Sequence, residues 1–259
     1  MAMASLYWLT TWFALFYSSE AHQLLNFKGG GIYYYWHAGF CQYLQEIKAP
    51  MLNTPVMGAS AGSLSAALLL CDTDFNAATA FVVDQAERNE LFTKKKSLAF
   101  IWGDLVDEWL DFLIPETLPA VATDKLYVQL TSIKPWRRPE LVSGFASKTQ
   151  LKEALMASVH IPFFLNGRPY TKYQGRRFVD GSLSSFVTTS ERVRPLPLGL
   201  AHDIDDIYTV DYNKDVHFLE QQAGTSFVSM VSPTGLYDMM DSGYAFAKSE
   251  YEKGLLFPK

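Results

Sequence analysis

Two segments near the start of the chain each run from a short apolar stretch through a glycine-containing turn into a stretch of helical composition. The first comprises residues 23–27 and the glycines Gly29, Gly30 and Gly31, and the second comprises residues 55–57 and 58–70. Short apolar runs bounded by glycine are typical of buried strands, and alanine- and leucine-rich runs favour helix. This repeated order of strand, turn and helix predicts an α/β sandwich with a largely parallel sheet.

The same alternation continues through the rest of the chain. Hydrophobic residues make up 49% of the sequence and charged residues 19%, a composition that excludes a disordered chain. We therefore expect a single α/β domain over residues 22–259. The pattern predicts a helix after Gly31 that runs through Gly39 to Leu44 and further helices over residues 74–91, 98–113, 148–158 and 236–255. It also predicts strands over 126–133, 176–179, 207–212 and 227–231, and turns over 134–140 and 195–197.

The N-terminal segment, residues 1–21, has two interpretations. Residues 6–17 are mostly apolar and uncharged, but about 12 residues are fewer than the ~20 that a membrane-spanning helix needs. Their length fits the apolar region of a secretory signal, and Ser19 and Ala21 are small residues at a potential cleavage site, yet no Lys or Arg precedes the run. A signal and an apolar helix on the fold or on a membrane surface both stay open, and localisation with them.

Charge and cysteine content restrict the partners. The 22 Lys and Arg residues against 27 Asp and Glu give a formal net charge of −5, and residues 94–96 form the only basic run. Nucleic acid is therefore disfavoured as a partner. Cys41 and Cys71 are too few for a cysteine-rich zinc site, and no other ligand spacing is apparent. We expect neither a metal ion nor a cofactor.

The second glycine turn contains a candidate nucleophile. Gly58, Ser60 and Gly62 form the pattern G-x-S-x-G at the point where a strand is expected to become a helix. In this context a sharp, strained turn with positive φ at the serine exposes its hydroxyl above the sheet, and the flanking glycines leave room for the turn. The start of the following helix favours negative charge at Ser60. A small-residue turn that only packs tightly is the alternative interpretation.

The first glycine turn is a candidate anion site. Gly29, Gly30 and Gly31 let the backbone approach a ligand and present N–H groups to an anion. A phosphate-binding loop requires Lys and Ser or Thr after the glycines, whereas here Lys28 precedes them and Ile32 follows. The pattern therefore favours the oxyanion of an acyl-transfer intermediate over a nucleotide phosphate, with a tightly packed turn as the structural alternative.

An acidic residue, Asp180, follows the predicted strand 176–179 and precedes Gly181. Catalytic groups gather at strand ends in open α/β sheets. An aspartate before a glycine is also a common turn signal, so the position becomes informative only beside Ser60.

Four motifs together resemble one family. The first motif is the first glycine turn, Gly29 to Gly31, called the glycine loop below, with Tyr35-Trp36-His37-Ala38-Gly39 after it. The second is the turn at residues 58–63, called the elbow below. The third is the loop Ala157-Ser158-Val159-His160-Ile161-Pro162, and the fourth is Arg177-Phe178-Val179-Asp180-Gly181. In this order, within residues 23–185, they are similar to the motifs of the patatin-like phospholipases, most of all the branch of adiponutrin and adipose triglyceride lipase.

The resemblance implies a patatin-like three-layer α/β/α sandwich with a mostly parallel central sheet. It also implies hydrolysis of acyl esters of phospholipids or acylglycerols through a serine–aspartate dyad, without histidine, metal or cofactor. Ser60 is then the nucleophile, Asp180 the general base, and the amides of Gly29, Gly30 and Gly31 the oxyanion hole. The implied partners are a lipid substrate and a membrane or lipid-droplet surface.

The chain departs from the family pattern at three places. Tyr34 stands where the first loop usually has a glycine, Ser182 stands where Gly or Ala usually follows Asp-Gly, and residues 184–186 lack the usual asparagine–proline element. Ser182 is still small. The ring of Tyr34 is expected either to narrow the acyl site or to supply a donor there.

Two other functions stay open. One is a lipid-binding or scaffold protein that keeps the fold without catalysis. The other is an α/β-hydrolase in which Ser60, an acid and either His202 or His217 form a triad in that chain order. Only about two strands fit before Ser60, which argues against that fold. We expect His37 and His160 to serve packing or support.

Overall fold

The computed structural model describes residues 23–92, 99–134, 138–184, 204, 206–226 and 228–258. The segment 1–21, the turn at 195–197 and His202 lie outside these residues. In chain order the elements are β1 (Gln23–Phe27), α1 (Tyr34–Glu46), β2 (Val56–Ala59), α2 (Ala61–Leu70), α3 (Phe75–Arg88), α4 (Trp102–Leu113), α5 (Ala120–Lys125), β3 (Leu126–Ser132), β4 (Arg138–Val142), α6 (Lys148–Ser158), β5 (Thr171–Tyr173), β6 (Arg176–Val179), β7 (Asp206–Val210), α7 (Val216–Gln221) and α8 (Pro233–Glu252).

The strands of the described residues form one seven-stranded sheet in the order β5-β6-β3-β2-β1-β7, with β4 paired to β3. Strands β7, β1, β2 and β3 pair in parallel, as the strand–turn–helix pattern predicts. Strands β4 and β6 run antiparallel to β3, and β5 antiparallel to β6. The sheet is therefore mixed, and its parallel part carries the two glycine turns at the carboxyl ends of β1 and β2.

Two local predictions are wrong. The described residues of the predicted strand 227–231 form a turn and irregular chain, with the turn at Val228. The predicted turn at 134–140 gives way to β4, which starts at Arg138 and pairs with β3. Strand β4 carries Pro139, which fits because a strand at the border of a sheet tolerates a residue without a backbone N–H.

Helices α1 and α8 cross in direct backbone contact. A Cβ atom at Gly39 of α1 would lie 1.7 Å from the carbonyl oxygen of Met240, and one at Gly243 of α8 would lie 1.8 Å from that of Trp36. Only glycine fits at either position. The indole of Trp36 is fully buried and donates a 2.8 Å hydrogen bond to Asp215 ahead of α7. This crossing fixes α1, whose N-terminus follows the first glycine turn.

Within the described part of the chain, no helix combines the length and the apolar character that crossing a membrane requires.

Candidate active site

Ser60 occupies the turn between β2 and α2. Its φ of 53° and ψ of −130° put it in a region that side chains other than glycine seldom adopt, at a cost of about 1–3 kcal/mol. The N–H groups of Ser63 and Leu64 donate to the Ser60 carbonyl oxygen and continue the turn into α2. The predicted positive φ of the serine, at the start of a helix, is therefore confirmed.

The glycines on both sides of Ser60 are required for space. A Cβ atom at Gly58 would lie 2.2 Å from the carbonyl oxygen of Gly62, and one at Gly62 would lie 2.2 Å from that of Phe27. Neither glycine has a positive φ, so close backbone approach, rather than an unusual conformation, requires them. The elbow is thereby pressed against the end of β1.

Asp180 follows β6 and points at the elbow. The Ser60 hydroxyl donates a 2.6 Å hydrogen bond to Asp180 Oδ2, and the Ser182 backbone N–H donates one of 2.8 Å to Oδ1. The Asp180 N–H donates in turn to the carbonyl oxygen of His160. These contacts bring together two predicted residues that are 120 positions apart in sequence.

Burial changes the chemistry of this carboxylate. Asp180 is 3% exposed, and burial raises its pKa from 3.8 to about 6, although the hydrogen bonds from Ser60 and Ser182 act in the opposite direction. Desolvation disfavours the charged form, whereas donors to the oxygens favour it. The result is a carboxylate that is ionised at neutral pH and a stronger base than an exposed aspartate.

Three supporting contacts were not predicted as such. Ser158 Oγ accepts a 2.9 Å hydrogen bond from the Ser60 N–H and donates one of 2.8 Å to the Gln129 carbonyl oxygen on β3. Gln129 Nε2 donates at 2.7 Å to the Gly181 carbonyl oxygen beside Asp180. Ser158 lies in one of the four motifs. Its contacts join the elbow to β3, and Gln129 extends this network to the residue after Asp180. These contacts depend on the order of the strands in the sheet, which the motif does not specify.

The glycine loop passes directly beside Ser60. A Cβ atom at Gly29 would lie 3.1 Å from Ser60 Cβ and 2.0 Å from Ser182 Oγ, and Gly31 has a φ of 56°. The amides of Gly29, Gly30 and Gly31 donate no hydrogen bond to any residue that the structure describes. Of the three glycines, Gly29 lies nearest to the Ser60 side chain, and Gly30 faces the ring of Tyr212.

An apolar cavity opens from Ser60. The space inside it that water-sized groups can occupy is about 60 Å³. Ser60 and Gly31 line it together with side chains such as Leu64, Val106 and Trp109. An apolar lining of this kind beside a serine suits aliphatic groups.

The histidines take other positions. His217 is exposed on α7, and among the described residues the Ser60 hydroxyl bonds to Asp180 and to no histidine. His37 is fully buried, its ring edge-on to that of Phe27, and burial lowers its pKa to about 3. His160 Nε2 bonds to the Arg168 carbonyl oxygen at 3.1 Å. Within the described ranges, no cluster of three or more His, Cys, Asp or Glu residues could hold a metal ion.

Comparison with known proteins shows which family the chain resembles. A family model described as "Patatin-like phospholipase" matches residues 25–192. The chain is 30% identical over 164 residues to the omega-hydroxyceramide transacylase of Mus musculus, covering 62% of this chain and 27% of that protein. It is 27% identical over 179 residues to the 1-acylglycerol-3-phosphate O-acyltransferase Pnpla3 of Mus musculus, covering 66% of this chain and 42% of that one. The match thus spans less than half of either relative.

Among solved structures, VipD from Legionella pneumophila is similar over 90% of this chain and 67% of its own, with a TM-score of 0.48 and 11% identity.

Proposed function

Because the chain belongs to the patatin-like phospholipase family, we propose that it hydrolyses carboxylic ester bonds of phospholipids or acylglycerols through Ser60 and Asp180. Its fold is the patatin α/β/α sandwich, with a sheet whose central strands are parallel. One observation supports the chemistry above all others, namely the 2.6 Å hydrogen bond from the Ser60 hydroxyl to a buried carboxylate at the mouth of an apolar cavity.

In the proposed reaction, Asp180 takes the proton of Ser60 while Oγ attacks the ester carbonyl carbon. The carbonyl oxygen becomes an oxyanion, which the amides of Gly29, Gly30 and Gly31 stabilise. The intermediate collapses, the carbon–oxygen bond to the alcohol breaks, and the proton on Asp180 passes to the leaving alkoxide. Asp180 then deprotonates a water molecule, whose oxygen attacks the carbonyl carbon of the acyl-serine. The bond from that carbon to Ser60 Oγ breaks, Asp180 returns the proton to Oγ, and the fatty acid is released. The scheme uses no metal or cofactor.

Two physical features support this assignment. The pKa of Asp180, raised by burial to about 6, is closer to operating pH than that of an ordinary aspartate, which suits a general base. Backbone donors that are already in place are worth about 10²- to 10³-fold in rate for each donor. The N-terminus of α2 adds a favourable partial positive charge beside Ser60.

We also propose that the chain acts at a lipid surface. Phe100 and Phe163 are 65% and 61% exposed, and both have positive φ. A 2.8 Å hydrogen bond from the Phe100 N–H to the Phe164 carbonyl oxygen ties their two loops together. These loops lead into cavity-lining residues, Trp102 from one and Ile161 from the other. Exposed aromatic rings beside the entrance suit contact with lipid.

Acyl transfer to an alcohol is a second candidate activity, since the two relatives compared above are named as a transacylase and an acyltransferase. It follows the same path to the acyl-serine, after which an alcohol replaces water as the attacking group. A product assay with a long-chain alcohol present separates the two, because transfer yields a new ester and hydrolysis a free fatty acid.

The test uses purified protein with p-nitrophenyl acyl esters in solution and with phospholipid or triacylglycerol in vesicles or emulsions. We expect release of the acyl group in both assays and none by Ser60→Ala. Lipid binding without turnover of any ester would favour the non-catalytic alternative. Activity that survives in Ser60→Ala would remove Ser60 from the reaction.

A further inference from the structure

Tyr34, the first residue of α1, has a buried hydroxyl that the proposed mechanism does not use. Its side chain lines the apolar cavity that opens from Ser60. The residue is 5% exposed, and its hydroxyl makes no hydrogen bond to any residue that the structure describes. The sequence also marks this position, since the family usually has glycine there.

An unpartnered hydroxyl in an apolar wall is costly. Burying it without a hydrogen bond costs about 1–3 kcal/mol, whereas a phenylalanine ring would fill the same volume without that cost. The Tyr34 ring packs edge-on to Trp109 at 5.1 Å and to Tyr35 at 5.3 Å between ring centroids. These contacts hold the ring in place and keep its hydroxyl from turning out to solvent.

The described residues of the cavity wall do not supply a partner for the hydroxyl. Gln85 also lines the cavity, but its side-chain amide donates at 3.2 Å to the Leu105 carbonyl oxygen and at 2.8 Å to Glu108. Burial raises the pKa of Tyr34 well above 10, so the hydroxyl keeps its proton and can both donate and accept. Among the described residues, no group pairs with it.

We propose that the cavity is a binding site for acyl chains that carry an oxygen substituent, such as a hydroxyl, keto or epoxide group, which pairs with the Tyr34 hydroxyl. The inference rests on the proposed function, because Ser60 fixes the ester end of the chain and thereby the position of the oxygen along it. Plain acyl chains enter the same cavity but leave the hydroxyl unpaired.

The test compares wild type with Tyr34→Phe on p-nitrophenyl palmitate and on a series of hydroxypalmitate esters with the hydroxyl moved along the chain. At one or two adjacent positions we expect wild type to prefer the hydroxylated ester over the plain one by about 3- to 10-fold more in kcat/KM than Tyr34→Phe does. Plain palmitate is the reference substrate for each variant, so the ratio of the two kcat/KM values reports the hydroxyl pair rather than a change in overall activity.

Tyr33→Phe is the matched control. It removes a neighbouring hydroxyl that donates at 3.1 Å to the Thr225 carbonyl oxygen, and Tyr33 does not line the cavity. Its preference should equal that of wild type. A shift in Tyr33→Phe as large as in Tyr34→Phe would contradict a specific role for Tyr34.

Binding separates failure of this inference from failure of the proposed function. Calorimetry with palmitic acid and the hydroxypalmitic acids on Ser60→Ala and on Ser60→Ala/Tyr34→Phe needs no turnover. A hydroxyl-dependent loss of affinity in the double variant supports the site even if no ester is cleaved. Equal preference with and without the Tyr34→Phe substitution at every hydroxyl position, in kcat/KM and in affinity, would overturn it.

Discussion

The α1–α8 crossing and the elbow around Ser60 both rely on glycines at close backbone contacts, but these contacts serve different purposes. At Gly39 and Gly243 two helices meet backbone to backbone, at Gly62 the start of α2 meets the end of β1, and Gly58 lies against Gly62 itself. In each place a Cβ atom would lie 2.2 Å or less from a carbonyl oxygen. In both regions, a residue larger than glycine would not fit at these positions.

The two regions differ in what the close approach supports. The crossing joins regular helices, and its buried polar group, the Trp36 indole, is paired with Asp215. The elbow holds Ser60 in a strained conformation and faces a carboxylate whose pKa burial raises. Ser60 also lines the cavity with Tyr34, whose hydroxyl has no hydrogen-bond partner among the described residues. Strain and unfavourable burial concentrate at functional sites, whereas packing regions avoid them. We infer that the crossing stabilises the fold and that this stability offsets the free energy cost of the strained elbow.

The largest expected effect lies on the elbow side. Asp180→Asn keeps the shape of the side chain but cannot accept the Ser60 proton, so kcat/KM for soluble esters should fall about 10²- to 10⁴-fold. His202→Ala and His217→Ala, the controls for a triad, should stay near wild type. A histidine variant as impaired as Asp180→Asn, and still folded by circular dichroism, would replace the dyad with a triad.

On the packing side, Gly243→Ala should lower the free energy of unfolding by about 3 kcal/mol, because its methyl group meets the Trp36 carbonyl oxygen. Gly235→Ala is the matched control on the same helix, where the nearest atom, Ser232 Oγ, is 3.3 Å away. Urea titration should find that variant close to wild type. If the Gly243→Ala protein were as stable as the Gly235→Ala protein, the crossing would not be close-packed in solution.

A smaller effect is expected in the pH dependence of the free energy of unfolding, through Asp180. The pKa of Asp180 is about 6 in the fold against 3.8 in an unfolded chain, so between these values the folded state binds more protons. Wild type therefore loses stability as pH rises from about 4 to about 6, and the loss persists above pH 6. Asp180→Asn avoids this cost and should be more stable than wild type by up to about 3 kcal/mol at pH 8. Thermal unfolding should show little difference at pH 4, and a less stable variant at pH 8 would argue against a destabilising charge.

The smallest expected effect is that of chelation. Because backbone amides and Asp180 supply the proposed chemistry, EDTA should leave hydrolysis of soluble esters unchanged within error. Loss of that activity, restored by one added metal ion, would contradict the scheme.

Much of this arrangement could be predicted because its signals are local. The elbow, the glycine loop and the strand before Asp180 each lie within a few residues of sequence. The parallel pairing of β1 and β2 places both glycine turns at one edge of the sheet, and Asp180 reaches Ser60 although β6 runs antiparallel to β3. The role of Ser158 could not be predicted, because it depends on α6 lying beside β3. The short strand β5 carries too few residues for a periodic signal. The apolar run at 227–231 reads as a strand but has no partner strand among the described residues.

Labelling with a fluorophosphonate tests the central claim, that buried Asp180 activates Ser60, most directly. We expect one covalent adduct per chain, mapped to Ser60 by peptide mass spectrometry, at a rate that falls as pH drops through about 6, where Asp180 takes up a proton. Asp180→Asn should label more slowly and without that midpoint. An adduct at another residue, or an unchanged midpoint in Asp180→Asn, would contradict the account.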